Sequence, residues 1–215
     1  MNKKLFYLQQ LEIIPYQLVS LADISANESE NWLDLEKAVS TCTRCDLCET
    51  RKNTVFGVGN RKARLMLIGE APGATEDERG EPFVGQAGQL LDKMLAAIGY
   101  SRETVFIANI LKCRPPNNRD PLPEEIEQCF PYLLKQIEWV KPTLLLALGR
   151  VAAQSLLGCK TPLGRLREQA FNFGERNIPL MVTYHPAYLL RNPADKRNAW
   201  LDLQRAQAFL SENYR

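Results

Sequence analysis

The sequence predicts an α/β protein: a three-layer α/β/α arrangement around a central four-stranded parallel sheet, with a helical extension at the N-terminus. Three observations carry that reading. Four short apolar runs alternate with longer amphipathic stretches, the order expected when helices cover both faces of a parallel sheet. The first of those runs, Leu-Met-Leu-Ile at 65–68, is continuously apolar, as a strand buried on both faces is. It enters a turn bounded by Gly69 and Gly73, and ligands of open parallel sheets bind just beyond the carboxyl ends of strands. The 215 residues suit one such domain with a sizeable core.

Taken in order, residues 1–30 carry no readable motif and form an N-terminal extension; residues 31–215 form the main domain. Residues 5–21 suggest one or two short helices broken at Pro15, and residues 27–31 a polar linker. Trp32, Leu35 and Val39 recur at helical spacing and predict a helix over about residues 31–41. A strand is expected at 65–69. Leu90, Leu91, Met94, Leu95 and Ile98 share one face of a helix over 86–98, stopped by Gly99. Residues 105–110 read as a second strand, followed by a Pro- and Asn-rich loop over 114–123. A helix over 124–140 has acids in its first turn and a kink expected at Pro131. Residues 143–148 are a third strand ended by Gly149, 150–157 a short helix, 178–184 a fourth strand and 195–211 a closing helix.

Composition narrows the function. Apolar content of 45% and charged content of 24% place the chain among ordinary globular proteins. No apolar run approaches the roughly 20 residues of a membrane span, and no secretory leader is legible. A cytoplasmic location is therefore expected, where thiols stay reduced and the six cysteines serve as metal ligands or buried thiols. The net charge is only +2, yet residues 41–215 are the basic part, with Arg44, Arg51, Lys52, Arg61, Lys62 and Arg64 clustered early. Such a face is compatible with a phosphate-backbone partner and equally with solvated surface.

Several residues stand out chemically. Cys42 and Cys45 form a C-x2-C pair, Cys113 is placed at the end of the second strand and Cys129 in the following helix. A pair at that spacing lets two thiolates face one metal, and a second pair would complete four ligands, for zinc or for an iron–sulfur cluster. Taken singly, Cys113 and Cys129 are equally small core residues. Glu70 sits in the glycine-bounded turn, as a site carboxylate or as a solvated side chain. Asn109 near a strand end is disfavoured there unless its amide bonds something, a ligand or nearby backbone. Phe83 is a core plug or a stacking platform. His185, the one histidine, follows a strand and projects from the same sheet edge as Glu70.

Together these stretches resemble the family 4 uracil-DNA glycosylases, the iron–sulfur branch of the uracil-DNA glycosylase superfamily. The matching segments are Cys42-Thr-Arg-Cys45, Gly69-Glu-Ala-Pro-Gly73, Gly80-Glu-Pro-Phe-Val-Gly-Gln-Ala-Gly88, Asn109-Ile-Leu-Lys-Cys113-Arg-Pro-Pro, Cys129, Leu146-Ala-Leu-Gly149 and His185-Pro-Ala-Tyr-Leu-Leu-Arg191. They occur in the family's order across about residues 31–212.

The resemblance implies a uracil-DNA glycosylase-like fold and a 4Fe–4S cluster on Cys42, Cys45, Cys113 and Cys129, leaving Cys48 and Cys159 outside it. It implies hydrolysis of deoxyuridine in DNA by a monomer, with no membrane partner and no lyase step. Uracil would contact Gly69, Glu70, Ala71, Phe83, Asn109 and His185. His185 would assist the leaving base, and Glu70 would hold the water or the base, since Ala71 stands where other branches carry an Asp or Asn. Tyr188, Leu189 and Leu190 would wedge into DNA, with Arg191 on phosphate. Two other readings compete: a non-catalytic iron–sulfur DNA-binding module, as in domains fused to phage polymerases, and a zinc-stapled nucleotide-binding enzyme.

Overall fold

A computed structural model describes residues 32–213. The extension over 1–30, with its expected helices and linker, lies outside the described residues. Helix α1 (Trp32–Ser40) and the short α2 (Leu47–Thr50) lead into the sheet strands β1 (Val58–Gly59) and β2 (Leu65–Gly69). Helices α3 (Ala74–Arg79) and α4 (Gln86–Ala97) precede β3 (Phe106–Asn109), and α5 (Pro123–Val140) precedes β4 (Leu144–Leu148). Then follow α6 (Arg150–Leu157), α7 (Leu163–Arg167), β5 (Phe171–Phe173), β6 (Ile178–Thr183), α8 (Pro186–Arg191) and α9 (Lys196–Glu212).

The sheet has six strands in the order β1-β3-β2-β4-β6-β5. The four predicted strands β3, β2, β4 and β6 are its parallel centre. The expected four-stranded sheet is corrected at both edges, where β1 and β5 pair antiparallel. Register brings the carboxyl ends of the central strands level: Gly69 opposite Asn109 and Leu148 opposite Thr183. Chain order reverses across β2 and β4, since β2 leads to β3 on one side and β4 to β6 on the other, and a crevice opens outside such a switch point.

Alternation along each strand divides the core in two. Met66, Ile68, Phe106, Ala108, Leu145 and Ala147 face α1, α5 and α6. Leu65, Leu67, Ile107, Leu144 and Leu146 face α4 and α9. That is the three-layer arrangement the alternation predicts. Helix α5 starts with Pro123, whose missing N–H costs nothing in the first turn. Glu125 accepts from the Leu122 N–H at 2.8 Å. The helix then passes Pro131 as one continuous element. Cys113 lies beyond β3 rather than ending it, because the strand stops at Asn109.

Candidate active site

The turns after β2, β3, β4 and β6 converge on one cleft of about 780 Å³. Glu70, Ala71, Phe83, Asn109, His185 and Tyr188 all line it. Gly69 ends β2 beneath this group. A Cβ there would stand 2.4 Å from Asn109 Oδ1 and 2.6 Å from Phe83 Cζ, so only glycine lets the amide and the ring meet.

Asn109 is 2% exposed. Its Oδ1 is, among the described residues, the one buried side-chain polar atom without a hydrogen-bond partner. An orphaned buried acceptor costs about 1–3 kcal/mol, and a ligand donor would remove that cost.

Phe83 is buried, with its ring centroid 5.5 Å from that of His185. It is a core side chain, one of the two alternatives its sequence left open, and it also forms a wall of the cleft. Its φ of 53° is unusual for an aromatic residue and must be enforced. Arg102 donates to Pro82 O at 2.7 Å and Phe83 O at 3.0 Å. Glu76 Oε1 accepts from the Val84 and Gly85 N–H groups, both at 2.9 Å. Gly88 passes so close that a Cβ would lie 1.7 Å from Phe83 O.

His185 caps the N-terminus of α8. Its Nδ1 accepts from the Ala187 N–H at 3.1 Å. That bond assigns the proton of the neutral ring to Nε2. Burial, with Arg191 nearby, lowers its pKa to about 4 and keeps the ring neutral near pH 7. Gly149 makes room for it: at φ 92°, a Cβ there would be 2.8 Å from His185 Cβ. The Leu-Gly end of β4 thereby acquires a steric reason.

Burial raises the Glu70 carboxyl to about 7; Asp120 adds to the rise and Arg150 opposes it. Arg150 and Asp120 pair at the rim at 2.5 Å. Tyr188 stacks on Tyr184 with centroids 5.1 Å apart and donates to Asp195 Oδ2 at 2.8 Å. Leu190 is 42% exposed, and Arg191 is exposed at the rim. Leu189 corrects the sequence expectation: it is 1% exposed and belongs to the core beneath α8. A helical turn at 186–191 sends successive side chains to different sides, so Leu189 packs inward while Leu190 faces solvent.

The four expected cysteines, Cys42, Cys45, Cys113 and Cys129, line a second, small cavity. Cys48 and Cys159 are outside that lining. Arg44, Arg51 and Lys112 contribute cationic side chains to the same lining and no carboxylate does. Arg51 Nη1 donates to Cys113 Sγ and the Lys112 N–H to Cys129 Sγ, each at 3.1 Å. Burial pushes the Cys45 and Cys113 thiols up and the Cys129 thiol to about 12. Among the described residues no three His, Cys, Asp or Glu side chains close on a single point as ligands of one metal ion would.

Sequence reasoning missed Lys112, which is 1% exposed, and the loop-holding pair Glu76 and Arg102. A lysine after the apolar pair Ile110-Leu111 was the available signal for the first. Charges scattered through a loop offered none for the others.

Comparison with known proteins adds a family. The profile described as "Uracil DNA glycosylase superfamily" matches residues 56–204. Proteins named "Type-4 uracil-DNA glycosylase" are similar over most of the chain. The Archaeoglobus fulgidus protein is 46% identical over 74% of this chain and 83% of its own length. The Pyrobaculum aerophilum protein is 45% identical over 75% and 87% respectively. That of Thermotoga maritima is 41% identical over 83% and 94%.

Proposed function

Because the chain belongs to the uracil-DNA glycosylase superfamily, in its type-4 branch, we propose that it hydrolyses the N-glycosidic bond of deoxyuridine in DNA. It releases free uracil and leaves an abasic site for base excision repair. The observation that carries this reading is the unpartnered Asn109 Oδ1 in a cleft at the strand ends that Phe83 and His185 also line.

A base inside a duplex is out of reach, so the nucleotide is flipped into the cleft. The uracil ring stacks on Phe83, with the Gly69, Glu70 and Ala71 backbone on its other side. Asn109 accepts from uracil N3–H through Oδ1 and donates to O4 through its NH2 group. Cytosine presents the opposite polarity on that edge and leaves both groups mismatched, at about 1–3 kcal/mol for each buried group unpaired.

Bond cleavage gives the sugar oxocarbenium character and the departing base negative charge. The His185 Nε2–H donates to that developing oxyanion. One such preorganised donor is worth roughly 3–4 kcal/mol of transition-state stabilisation in comparable sites. The proton stays on Nε2 because Nδ1 is occupied by the Ala187 N–H. Glu70, as carboxylate, orients the attacking water. At the rim, Leu190 fills the space the base leaves, Tyr188 shapes the mouth and Arg191 holds phosphate. Hydrolysis with release fits a chain whose only histidine is already used.

Cys42, Cys45, Cys113 and Cys129 would hold a 4Fe–4S cluster. The four-thiol lining, three cationic side chains that offset thiolate charge, and N–H donors to two of the sulfurs suit it. When bound, the cluster supplies a covalent tie between the segment before β1, the loop after β3 and helix α5.

The test is a DNA oligonucleotide with a single uracil. Free uracil and an abasic product are expected; binding without release would favour the non-catalytic module. Iron and sulfide in the purified protein support the cluster, whereas zinc without iron would overturn it.

A further inference from the structure

Lys112 is buried between the Asn109 backbone and the cysteine cavity and touches both. Its Nζ donates to the Asn109 carbonyl at 3.0 Å and to Gln136 Oε1 at 2.7 Å. Its N–H donates to Cys129 Sγ at 3.1 Å, and its carbonyl accepts from the Val55 N–H at 2.7 Å. Gln136, itself fully buried, is fixed in turn by donating to Phe56 O at 2.9 Å. Among the described residues Lys112 has no carboxylate partner within ion-pair distance.

Burying an ammonium is costly, and a methionine or leucine would continue the apolar run Ile110-Leu111 without that cost. A residue kept under such a penalty has a position to hold. Asn109 is the last residue of β3, with its side-chain acceptor left unpaired. Beyond it the Ile110 and Leu111 N–H groups donate to the Gly69 and Glu70 carbonyls at 2.9 and 3.0 Å, and the Asn109 carbonyl itself takes the Lys112 ammonium, which holds the residue from the side opposite the cleft turn.

We infer that Lys112 is a positioning residue that couples the cysteine cavity to base recognition: its ammonium clamps the Asn109 carbonyl while its own N–H is held by the Cys129 sulfur. The inference rests on the uracil-reading role given to Asn109. The side chain touches no substrate and acts only through Asn109. Whatever fixes Cys129 therefore also fixes the amide that reads the base, and linkage requires the coupling to run both ways.

The experiment compares wild type, Lys112→Met and Gln136→Met as full-length, iron-loaded proteins, titrated with free uracil. Lys112→Met is expected to weaken uracil binding about tenfold and to lower discrimination of uracil from cytosine in DNA by a similar factor, with iron per chain unchanged. Gln136→Met, which leaves the ammonium one acceptor, is expected to weaken binding about threefold. Saturating uracil should slow iron loss to a chelator in wild type and not in Lys112→Met. Wild-type uracil affinity and discrimination in an iron-loaded Lys112→Met protein would overturn the inference. Should that variant not fold, unchanged uracil affinity in Gln136→Met overturns it. Failure of the enzymatic reading is separate: wild type itself would release no uracil from the oligonucleotide.

Discussion

At the scale of single residues, the cleft separates its titrating groups. His185, with a pKa lowered to about 4, stays neutral at working pH and has one proton, on Nε2. Replacing it by alanine should lower kcat by roughly 10²–10³, the value of one oxyanion donor, and lower the melting temperature by only a few degrees through the lost cap on α8. Unchanged turnover would remove it from the mechanism. Burial raises the Glu70 carboxyl to about 7, so within the cleft it titrates close to working pH. With the carboxylate as the proposed water-holding form, kcat/KM should rise with pH through about 7. Histidine is excluded as the source of that limb, because its ring is already neutral above pH 4. Glu70→Gln should be slow and lack the inflection, and an unaltered pH profile in that variant would contradict the water-holding role. Asn109→Asp loses the NH2 donor to uracil O4; the preference for uracil over cytosine should fall about 10–100-fold in paired single-turnover assays.

Elements explain why some of these residues were legible and others were not. Glu70, Asn109 and His185 each follow or end an apolar run, so the strand pattern alone placed them on one edge. Leu189 was misplaced because Tyr-Leu-Leu-Arg reads as a single apolar tip until it is wound into α8, which turns Leu189 inward and Leu190 outward. Strands β1 and β5 escaped notice because two or three half-buried residues show no period. The parallel strands β2 and β4 were plain because every residue in them is buried. The loop carrying Phe83 lies between these cases. Its position was visible, but its φ of 53° and the groups enforcing it were not. Gly88→Ala tests that enforcement, since the added carbon meets Phe83 backbone that cannot give way cheaply. It should cost about 1–3 kcal/mol in thermal unfolding, as overpacking does, and weaken free-uracil binding in the same protein. Loss of stability with uracil affinity intact would show that Phe83 serves the core alone.

Across the whole molecule, the active cleft and the cysteine cavity meet around the segment after β3. One side of the sheet packs on α4 and α9 through aliphatic contacts that owe nothing to the cysteines. The other packs on α1, α5 and α6, and there Cys113 and Cys129 are themselves part of the core, with Cys42 and Cys45 packed against it. The proposed cluster at that place would stabilise chiefly the second side, because binding free energy becomes folding free energy only for the segments it joins. Cys113→Ser should therefore act asymmetrically. Iron per chain should fall and the melting temperature drop. Hydrogen exchange should quicken in α1, α2 and the first turns of α5, while amides of α4, α9 and the central strands stay protected. Arg51 would lose its sulfur acceptor in the same step and keep its bond to the Cys42 carbonyl at 2.8 Å. Uracil release should decline as well, by way of Asn109, although Cys113 does not line the cleft. Retained iron would remove Cys113 from the ligand set. Uniform loss of protection over both faces would instead show that the molecule unfolds as one unit around the cysteines.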